Sequence, residues 1–325
     1  MTASRRDHLV VILSYGDPGR AVRCATSCLA DGTADLLVVV NPVSPGLPAD
    51  RALTELVARE QQVDLLALPE NRGFTGGMNA GLHWGRRRGY GILTVLNDDT
   101  TAGPGVLSRL GDDVRANPAA AIAPRIDYAD RPGQPWSLGV TIDPDDLLPR
   151  HLSESEFAAL PRRDDGLVAV PMFTGCCICA GTDVWDRVGD FDDDYFLYFE
   201  DSDWSQRARQ LGVPLLIDDA AVLTHEVSAS SQGAPLTGYY YARNLLRYAT
   251  VWHASGTVAL RMYTRRSLRP ALRTARHEGP AESARRTLVS VAGATAFAIR
   301  HRGPAGPVLT RVIGALDGRE RHRDE

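Results

Sequence analysis

Gly91-Ile92-Leu93-Thr94-Val95-Leu96-Asn97-Asp98-Asp99-Thr100 is the stretch whose reading decides the fold. Its apolar run has the length of one buried strand and is bounded by a glycine on one side and polar residues on the other. The run stops on an amide and two carboxylates. Ionised acids rarely sit beside so much apolar surface unless they are paired, exposed in a cleft or bound to a cation. Upstream, the apolar runs Leu9–Leu13, Leu36–Val40 and Val63–Leu68 alternate with helix-like segments. Pro18 opens the first of these and Asp31-Gly32 ends it; Ala49–Glu60, Gly76–Arg88 and Gly103–Asn117 follow, before a further strand at Ala119–Ala123. That rhythm predicts an α/β fold with a mostly parallel, doubly wound sheet, whose ligands bind at the carboxyl ends of the strands.

After Pro124 the rhythm breaks. Asp127–Gly139 reads as hairpin and loop, and Asp143–Asp165 as an acidic, proline-punctuated excursion over the site. Val168–Cys179 reads as strand, Thr182–Val188 and Asp201–Leu211 as helices, and Tyr239–Tyr248 as an aromatic helix. From about Ser255 the chain reads as Arg-rich amphipathic helices broken at Gly279-Pro280 and Gly303-Pro304, and no internal repeat is visible.

Composition narrows the function classes. With 325 residues and 44% hydrophobic content the chain can bury a full core, and its net charge of −4 excludes global attraction to nucleic acid. The charge is uneven: 14 Arg against 6 acids from Arg261 onward give that stretch +8. All 36 basic residues are Arg. The start, Met1 to Asp7, lacks the apolar stretch of a signal peptide, and no window reaches the roughly 18 apolar residues of a membrane span. A cytoplasmic protein, soluble or peripheral to the inner face of a membrane, is the expectation. The five cysteines, Cys24, Cys28, Cys176, Cys177 and Cys179, do not have the pattern of a secreted disulfide framework or of paired zinc ligands, and read as small buried residues.

Four clusters carry candidate chemistry. Asn71-Arg72-Gly73-Phe74-Thr75-Gly76-Gly77-Met78-Asn79 lies between a strand and a helix, where glycines let backbone N–H groups approach a diphosphate at the helix N-terminus; a tight turn is the plainer alternative. Asn97-Asp98-Asp99 suits a hard cation held together with substrate phosphates, or a helix cap. Glu200-Asp201-Ser202-Asp203 follows the aromatic run Tyr195 to Phe199 and starts a helix, where acids also complement the helix dipole. His225, in Leu223-Thr224-His225-Glu226, ends another apolar run and suits a metal or a diphosphate oxygen as well as a surface loop. Two acidic clusters and a histidine, each ending a strand-like segment, suggest a metal-assisted active site.

In order and spacing these blocks resemble the family 2 glycosyltransferases of the GT-A fold, especially the bacterial rhamnosyltransferase and galactofuranosyltransferase-like branch. The resemblance covers roughly residues 8 to 250 and rests on Asn71 to Asn79, Asn97-Asp98-Asp99, Gly189 to Asp203, His225 with Ser228, Ser230 and Ser231, and Tyr239-Tyr240-Tyr241-Ala242-Arg243-Asn244. It implies a Rossmann-like GT-A domain over 1–250, with a nucleotide-sugar half about 1–125 and an acceptor half about 126–250, and an Arg-rich helical region over 251–325. It further implies inverting transfer of a sugar from a nucleoside diphosphate donor to the hydroxyl of a carbohydrate, lipid-linked or small-molecule acceptor. Asp201 would be the general base, with Mn²⁺ or Mg²⁺ on Asp99 and His225. Donor and acceptor contacts would fall on Ser14, Asn41, Asn71, Gly73, Gly76, Gly77, Asn79, Asn97, Asp98, Glu200, Asp203, Trp204 and Ser228. By analogy the donor would be a deoxythymidine- or uridine-diphosphate sugar, with a rhamnose-like deoxysugar first.

The chain departs from the pattern at Ser14-Tyr15-Gly16 and at Val39-Val40-Asn41, where Val40 replaces the acid that would hold the nucleobase. Two other classes share such an architecture: a non-catalytic sugar-nucleotide or glycan binder, and a nucleotidyltransferase, which the absence of Lys disfavours. Arg265, Arg266, Arg269, Arg273 and Arg276 recur at helical spacing, as expected of a solvated face, a homodimer contact or a face adhering to anionic membrane.

Overall fold

The computed structural model describes residues 6–46, 50–145, 147–227, 236–253, 255–306 and 308–311. The chain forms two compact units, one of Met1–Ile142, Pro149–Asp192 and Asp201–Val227, the other of Asp143–Leu148, Asp193–Glu200 and Ser228–Glu325.

The first unit is built on strands β1 (His8–Ser14), β2 (Asp35–Val40), β3 (Val63–Ala67), β4 (Ile92–Asn97), β5 (Thr100–Ala102) and β6 (Ala121–Tyr128), then β7 (Pro135–Ser137), β8 (Val140–Ile142), β9 (Pro149–His151), β10 (Val168–Ala169), β11 (Cys177–Gly181) and β12 (Leu215–His225). Among the described residues the main sheet runs in the order β10-β12-β6-β11-β4-β1-β2-β3, with β5 on β12, β7 on β6, and β8-β9 apart as a two-stranded sheet. The half from β4 to β3 is parallel, β11 enters antiparallel between β4 and β6, and β12 lies parallel to β6.

Helices α1 (Pro18–Leu29), α2 (Arg51–Arg59), α3 (Gly73–Arg87), α4 (Val106–Ala116), α5 (Glu154–Ala158), α6 (Thr182–Val188) and α7 (Glu200–Gln210) complete the layers. All seven residues of β1 are buried, which is why the strand reads as a continuous apolar run. Alternate side chains serve two cores. Leu9, Val11 and Leu13 pack with Met78 and Leu82 of α3, while Val10 and Ile12 pack with Ala21, Cys24, Ala25 and Cys28 of α1. Helix α3 comes unusually close to the sheet: a Cβ on Gly77, Gly81 or Gly85 would run into Leu13, Val11, or Leu93 and Leu9.

The alternating first half is as expected from the sequence; the second half is rearranged. The expected strand Ala119–Ala123 overlaps only the start of β6, which begins at Ala121 and continues through Pro124 because β12 bulges opposite it, between Asp218 and Val222. A proline gives the ladder no N–H, and a bulge tolerates that loss. Val168–Cys179 is two strands with different partners: β10 on β12, and β11 between β4 and β6. Asp143–Asp165 is not all loop, since it holds β9 and α5, the latter closed by a Ser153–Glu156 capping box. The five cysteines are free and buried, as the sequence reading expects.

One buried titratable group sets an acid limit on stability. His8, 1% exposed, meets the Thr94 hydroxyl at 2.7 Å. Burial, with a smaller contribution from the Arg115 charge, lowers its pKa to about 3. A depressed imidazole pKa means the unfolded chain binds the proton first, so this contribution is complete above the ordinary value near 6.5 and is lost as pH falls toward 3. Unfolding measured by denaturant at stepped pH should show stability falling by up to about 1.4 kcal/mol per unit below that value. His8→Gln should flatten that slope; an unchanged slope would show that other groups cause it.

The second unit is helical: α8 (Thr237–His253), α9 (Gly256–Tyr263), α10 (Arg269–Arg273) and α11 (Pro280–Ala298). A π turn at Thr264–Leu268 joins α9 to α10, and a 3₁₀ turn at Thr274–Arg276 follows. Gly279 supplies the positive φ of 92° before Pro280 restarts the chain as helix. Tyr239 and Tyr240 of α8 pack with Phe196 and with Val289 and Ala296 of α11. Two members of the arginine series have acidic partners within this unit, Arg266 with Asp143 at 3.2 Å and Arg265 with Asp145 at 3.6 Å. Among the described residues no helix is long and apolar enough to cross a membrane.

Candidate active site

The site is assembled where β4 ends. Asp98 and Asp99 form the short turn between β4 and β5, and β5 pairs antiparallel with the end of β12 so that Thr100 faces His225. The Glu226 amide donates to the Asp99 carbonyl at 2.8 Å, and the Ala129 amide donates to the His225 carbonyl at 3.0 Å. Backbone pairing thus brings together two residues far apart in the chain: His225 Nε2 stands 3.1 Å from Asp99 Oδ1. The contact is close enough for an ion pair but is not aligned as a hydrogen bond. Asp99 Oδ1, His225 Nδ1 and Asn97 Oδ1 are all buried with no hydrogen-bond partner among the described residues. Buried polar atoms are normally paired, so three orphans around the β4–β5 turn and the end of β12 make this the candidate ligand site.

The helix-cap alternative for these carboxylates fails. Helix α4 begins only at Val106, behind Gly105 with φ 75°, and the amides of its second and third residues, Leu107 and Ser108, donate to Asp31, just past the end of α1. Asp98 instead faces α1. Its carboxylate accepts the Tyr15 amide at 3.3 Å, and burial raises its pKa to about 7 against the opposing pull of the Arg20 charge. The Arg20 Nε is itself buried, with no hydrogen-bond partner among the described residues but 3.7 Å from the Asp17 carboxylate. Cys24 of α1 fixes the turn from below, its thiol donating to the Asn97 carbonyl at 3.4 Å. The His225 ring packs edge-on against Trp136 of β7 at 4.4 Å, and His151 lies on the other contact of that indole at 4.7 Å.

Asp201 joins the same strand end through Gly175 and Cys176, the two residues just before β11. The Asn97 amide donates to the Cys176 carbonyl at 3.0 Å, and the neighbouring Gly175 amide donates to Asp201 Oδ2 at 2.8 Å. The Ser202 amide and hydroxyl hold Asp201 Oδ1 at 2.6 and 3.1 Å. The residue as a whole is half-buried. Burial nevertheless raises its proton affinity, and this outweighs the hydrogen bonds that favour the anion.

Other sequence candidates turn out to be fastened to the fold. Trp204 is wholly buried against Trp185 at 4.9 Å, its indole N–H donating to the Gly189 carbonyl, so it offers no ligand surface. Asp203 accepts Arg207 Nε at 2.9 Å, and Arg207 also holds the carbonyls of Val188 and Asp190. Asn79 clamps both backbone groups of Phe191 from α3. Asn41 locks the β3–α3 turn: its amide nitrogen donates to Asn71 Oδ1 and the Gly73 carbonyl, and its oxygen accepts the Arg72 amide. Gly77 is used for close packing on β1, and Gly76 would meet the Arg72 side chain. Ser14 is buried at the end of β1, its carbonyl accepting the Asn41 amide. Glu200 is buried as the first residue of α7. Ser228 lies outside the described residues.

Gly175, Trp136, Tyr15 and Arg20 were not singled out from the sequence. Each acts through a partner distant in the chain, and nothing in the local pattern marks it.

The result is a mixed, mostly parallel sheet flanked by helices, with carboxylates and a histidine gathered near the carboxyl end of β4. The profile of Glycosyl transferase family 2 matches residues 9–178, and the chain belongs to that family. No curated protein sequence matches it significantly. Among solved structures, GalNAc-T7 with UDP, GalNAc and Mn²⁺ superposes with a TM-score of 0.58 at 13% identity, over 82% of this chain and 51% of that one. The chain therefore spans about half the length of that neighbour. The mannosyltransferase PcManGT from Pyrobaculum calidifontis, in complex with GDP-Man and Mn²⁺, superposes with a TM-score of 0.52 at 13% identity, over 97% of this chain and 81% of that one. Both are similar in fold.

Proposed function

We propose that this chain transfers a sugar from a nucleoside diphosphate donor to an acceptor hydroxyl, with inversion at the anomeric carbon. The observation that carries the proposal is the meeting of Asp99 and His225, both with orphaned buried atoms, on the strand end that Asp201 reaches through Gly175. The neighbours' UDP and GDP-Man, each with Mn²⁺, support a sugar-nucleotide donor and a divalent ion.

The residues present fit such an ion. A carboxylate oxygen without a donor, beside an imidazole nitrogen, is a suitable pair of ligands, and no third His, Cys, Asp or Glu completes a closed cage among the described residues. Diphosphate oxygens and water would supply the remaining positions, as Mg²⁺ and Mn²⁺ sites commonly allow. Bound there, Mn²⁺ or Mg²⁺ supplies Lewis-acid neutralisation of charge on the leaving diphosphate. Asp201 takes the proton of the acceptor hydroxyl as its oxygen forms the new bond to the anomeric carbon and the bond to diphosphate breaks. Asn71, Gly73, Gly76, Asn97, Asp98, Ser14 and Glu200 are the proposed donor and acceptor contacts. A deoxysugar donor such as rhamnose rests on the sequence resemblance alone.

The test is a panel of sugar nucleotides incubated with Mn²⁺ or Mg²⁺ and read by mass spectrometry. Release of free nucleoside diphosphate from a member of the panel is expected. Pyrophosphate release would indicate a nucleotidyltransferase instead, and a panel with no donor bound or hydrolysed under either metal would overturn the proposal.

A further inference from the structure

The segment before the acidic cluster has a backbone that its residues do not favour. Phe196, Tyr198 and Phe199 adopt φ values of 64°, 71° and 72°, the left-handed region that non-glycine side chains rarely enter. Three such residues in four positions, all aromatic, persist only where the surroundings hold them. What holds them is two consecutive side chains of α8.

Asn244 is 0% exposed, and its amide nitrogen donates to the carbonyls of Tyr195 at 2.7 Å, Leu197 at 2.6 Å and Tyr198 at 3.1 Å. Arg243, 2% exposed, donates to the carbonyls of Tyr195 at 2.7 Å, Asp194 at 3.2 Å and Gly303 at 2.5 Å. Its Nε donates to Asn244 Oδ1 at 2.9 Å, which fixes which end of the amide faces the carbonyls. Ring contacts of Phe196 with Tyr240 at 4.9 Å and of Phe199 with Tyr241 at 5.4 Å close the segment from the same helix. The segment runs directly into α7, whose first two residues are Glu200 and Asp201.

The geometry points to Arg243 and Asn244 as positioning residues for the transfer reaction. They hold the strained 196–199 backbone and so fix, through the chain, where α7 begins and how its carboxylates are presented. This rests on the reading of Asp201 as the base. It also gives a task to the Tyr-Tyr-Tyr-Ala-Arg-Asn run, which the chemistry of transfer alone does not use.

The decisive substitution is Asn244→Asp, of equal volume but without the two N–H groups, which sets a carboxylate oxygen against carbonyl oxygens. In a glycosyl-transfer assay on the full chain, kcat should fall about 10- to 100-fold with the donor KM unchanged, as for a group that acts in the transition state only. Amides of 196–199 should exchange with deuterium faster, with β1 and β4 unaffected. In an Asp201→Asn background, Asn244→Asp should add no further loss, because residues acting as one unit are not additive.

Unchanged kcat in Asn244→Asp overturns the inference, and so does an equal loss in both backgrounds. Full activity of Asp201→Asn alone is a different result: it overturns the reading of the base. Should Asn244→Asp fail to fold, the shorter, neutral Asn244→Ser is read by the same criteria. If neither variant folds, the pair is a folding element and the inference falls.

Discussion

Asp201→Asn should lower sugar transfer by about 10²- to 10⁴-fold while leaving donor binding intact. The amide keeps the shape of the carboxylate and can still accept the Gly175 amide, which donates to Oδ2 at 2.8 Å, but it cannot take a proton from an acceptor hydroxyl. Donor affinity should survive because the proposed diphosphate and metal contacts lie on Asp99 and His225, held by backbone pairing of β5 and β12. The pH dependence follows from the same environment. Burial raises the proton affinity of Asp201, so the base is lost to protonation at a higher pH than an ordinary carboxylate would be. Activity should therefore fall on the acid side of neutrality with an apparent pKa above the usual value of about 3.9. Near-normal turnover in Asp201→Asn, with loss in Glu200→Gln or Asp203→Asn, would move the base elsewhere in the cluster; activity retained in all three would make the cluster structural. Asp203 already has Arg207 as an ion-pair partner, which makes it the weakest rival.

Asp99→Ala should abolish metal-dependent donor binding with little change in fold. The strand end is held by main-chain bonds, Glu226 N to Asp99 O and Asn97 N to Cys176 O, neither of which needs the carboxylate. Removing one of two protein ligands should weaken the ion by at least about 10²-fold, since even changes to the partners of metal ligands commonly cost 10- to 100-fold. Donor titration with Mn²⁺, repeated after chelator, reads the effect directly: the parent chain should lose affinity on chelation and Asp99→Ala should start from that low value. Equal affinity of parent and variant, with and without chelator, would remove Asp99 from the metal site.

The parts of the fold visible in the sequence were those whose partners lie nearby. Leu9–Leu13 and Ile92–Leu96 are buried on both faces, so they read as apolar runs, and parallel βαβ units put Pro18, Asp31 and the glycines at predictable turns. The 11-residue strand β12 was legible only at its end, because Asp218 and Asp219 interrupt the apolar pattern where the strand bulges around Pro124. Asp98, Asp99 and His225 do lie at or just past strand ends, whereas Glu200, Asp201 and Asp203 open α7 with no strand before them. The meeting of Asp99 and His225 depends on the pairing of Thr100 with His225, which no local pattern encodes. Motif residues were harder to sort. Asn41, Asn79 and Trp204 have the chemistry of ligand contacts, but their hydrogen bonds go to Asn71, Phe191 and Gly189, and a motif does not distinguish a clamp from a contact.

The antiparallel placement of β11 has a consequence for how the chain is made. Synthesis proceeds from the N-terminus, so β1 to β4 emerge together and can pair at once, leaving β4 as the outer strand of a four-stranded sheet. Its neighbour on the open side begins only at Cys177, 80 positions after Asn97. During that interval the nascent polypeptide presents an unpaired, apolar strand edge with its acidic tip, a template for pairing with other chains. A fragment ended anywhere before Cys177 keeps that edge bare for its whole lifetime, and the strand that leads into Asp99 is the one left uncovered.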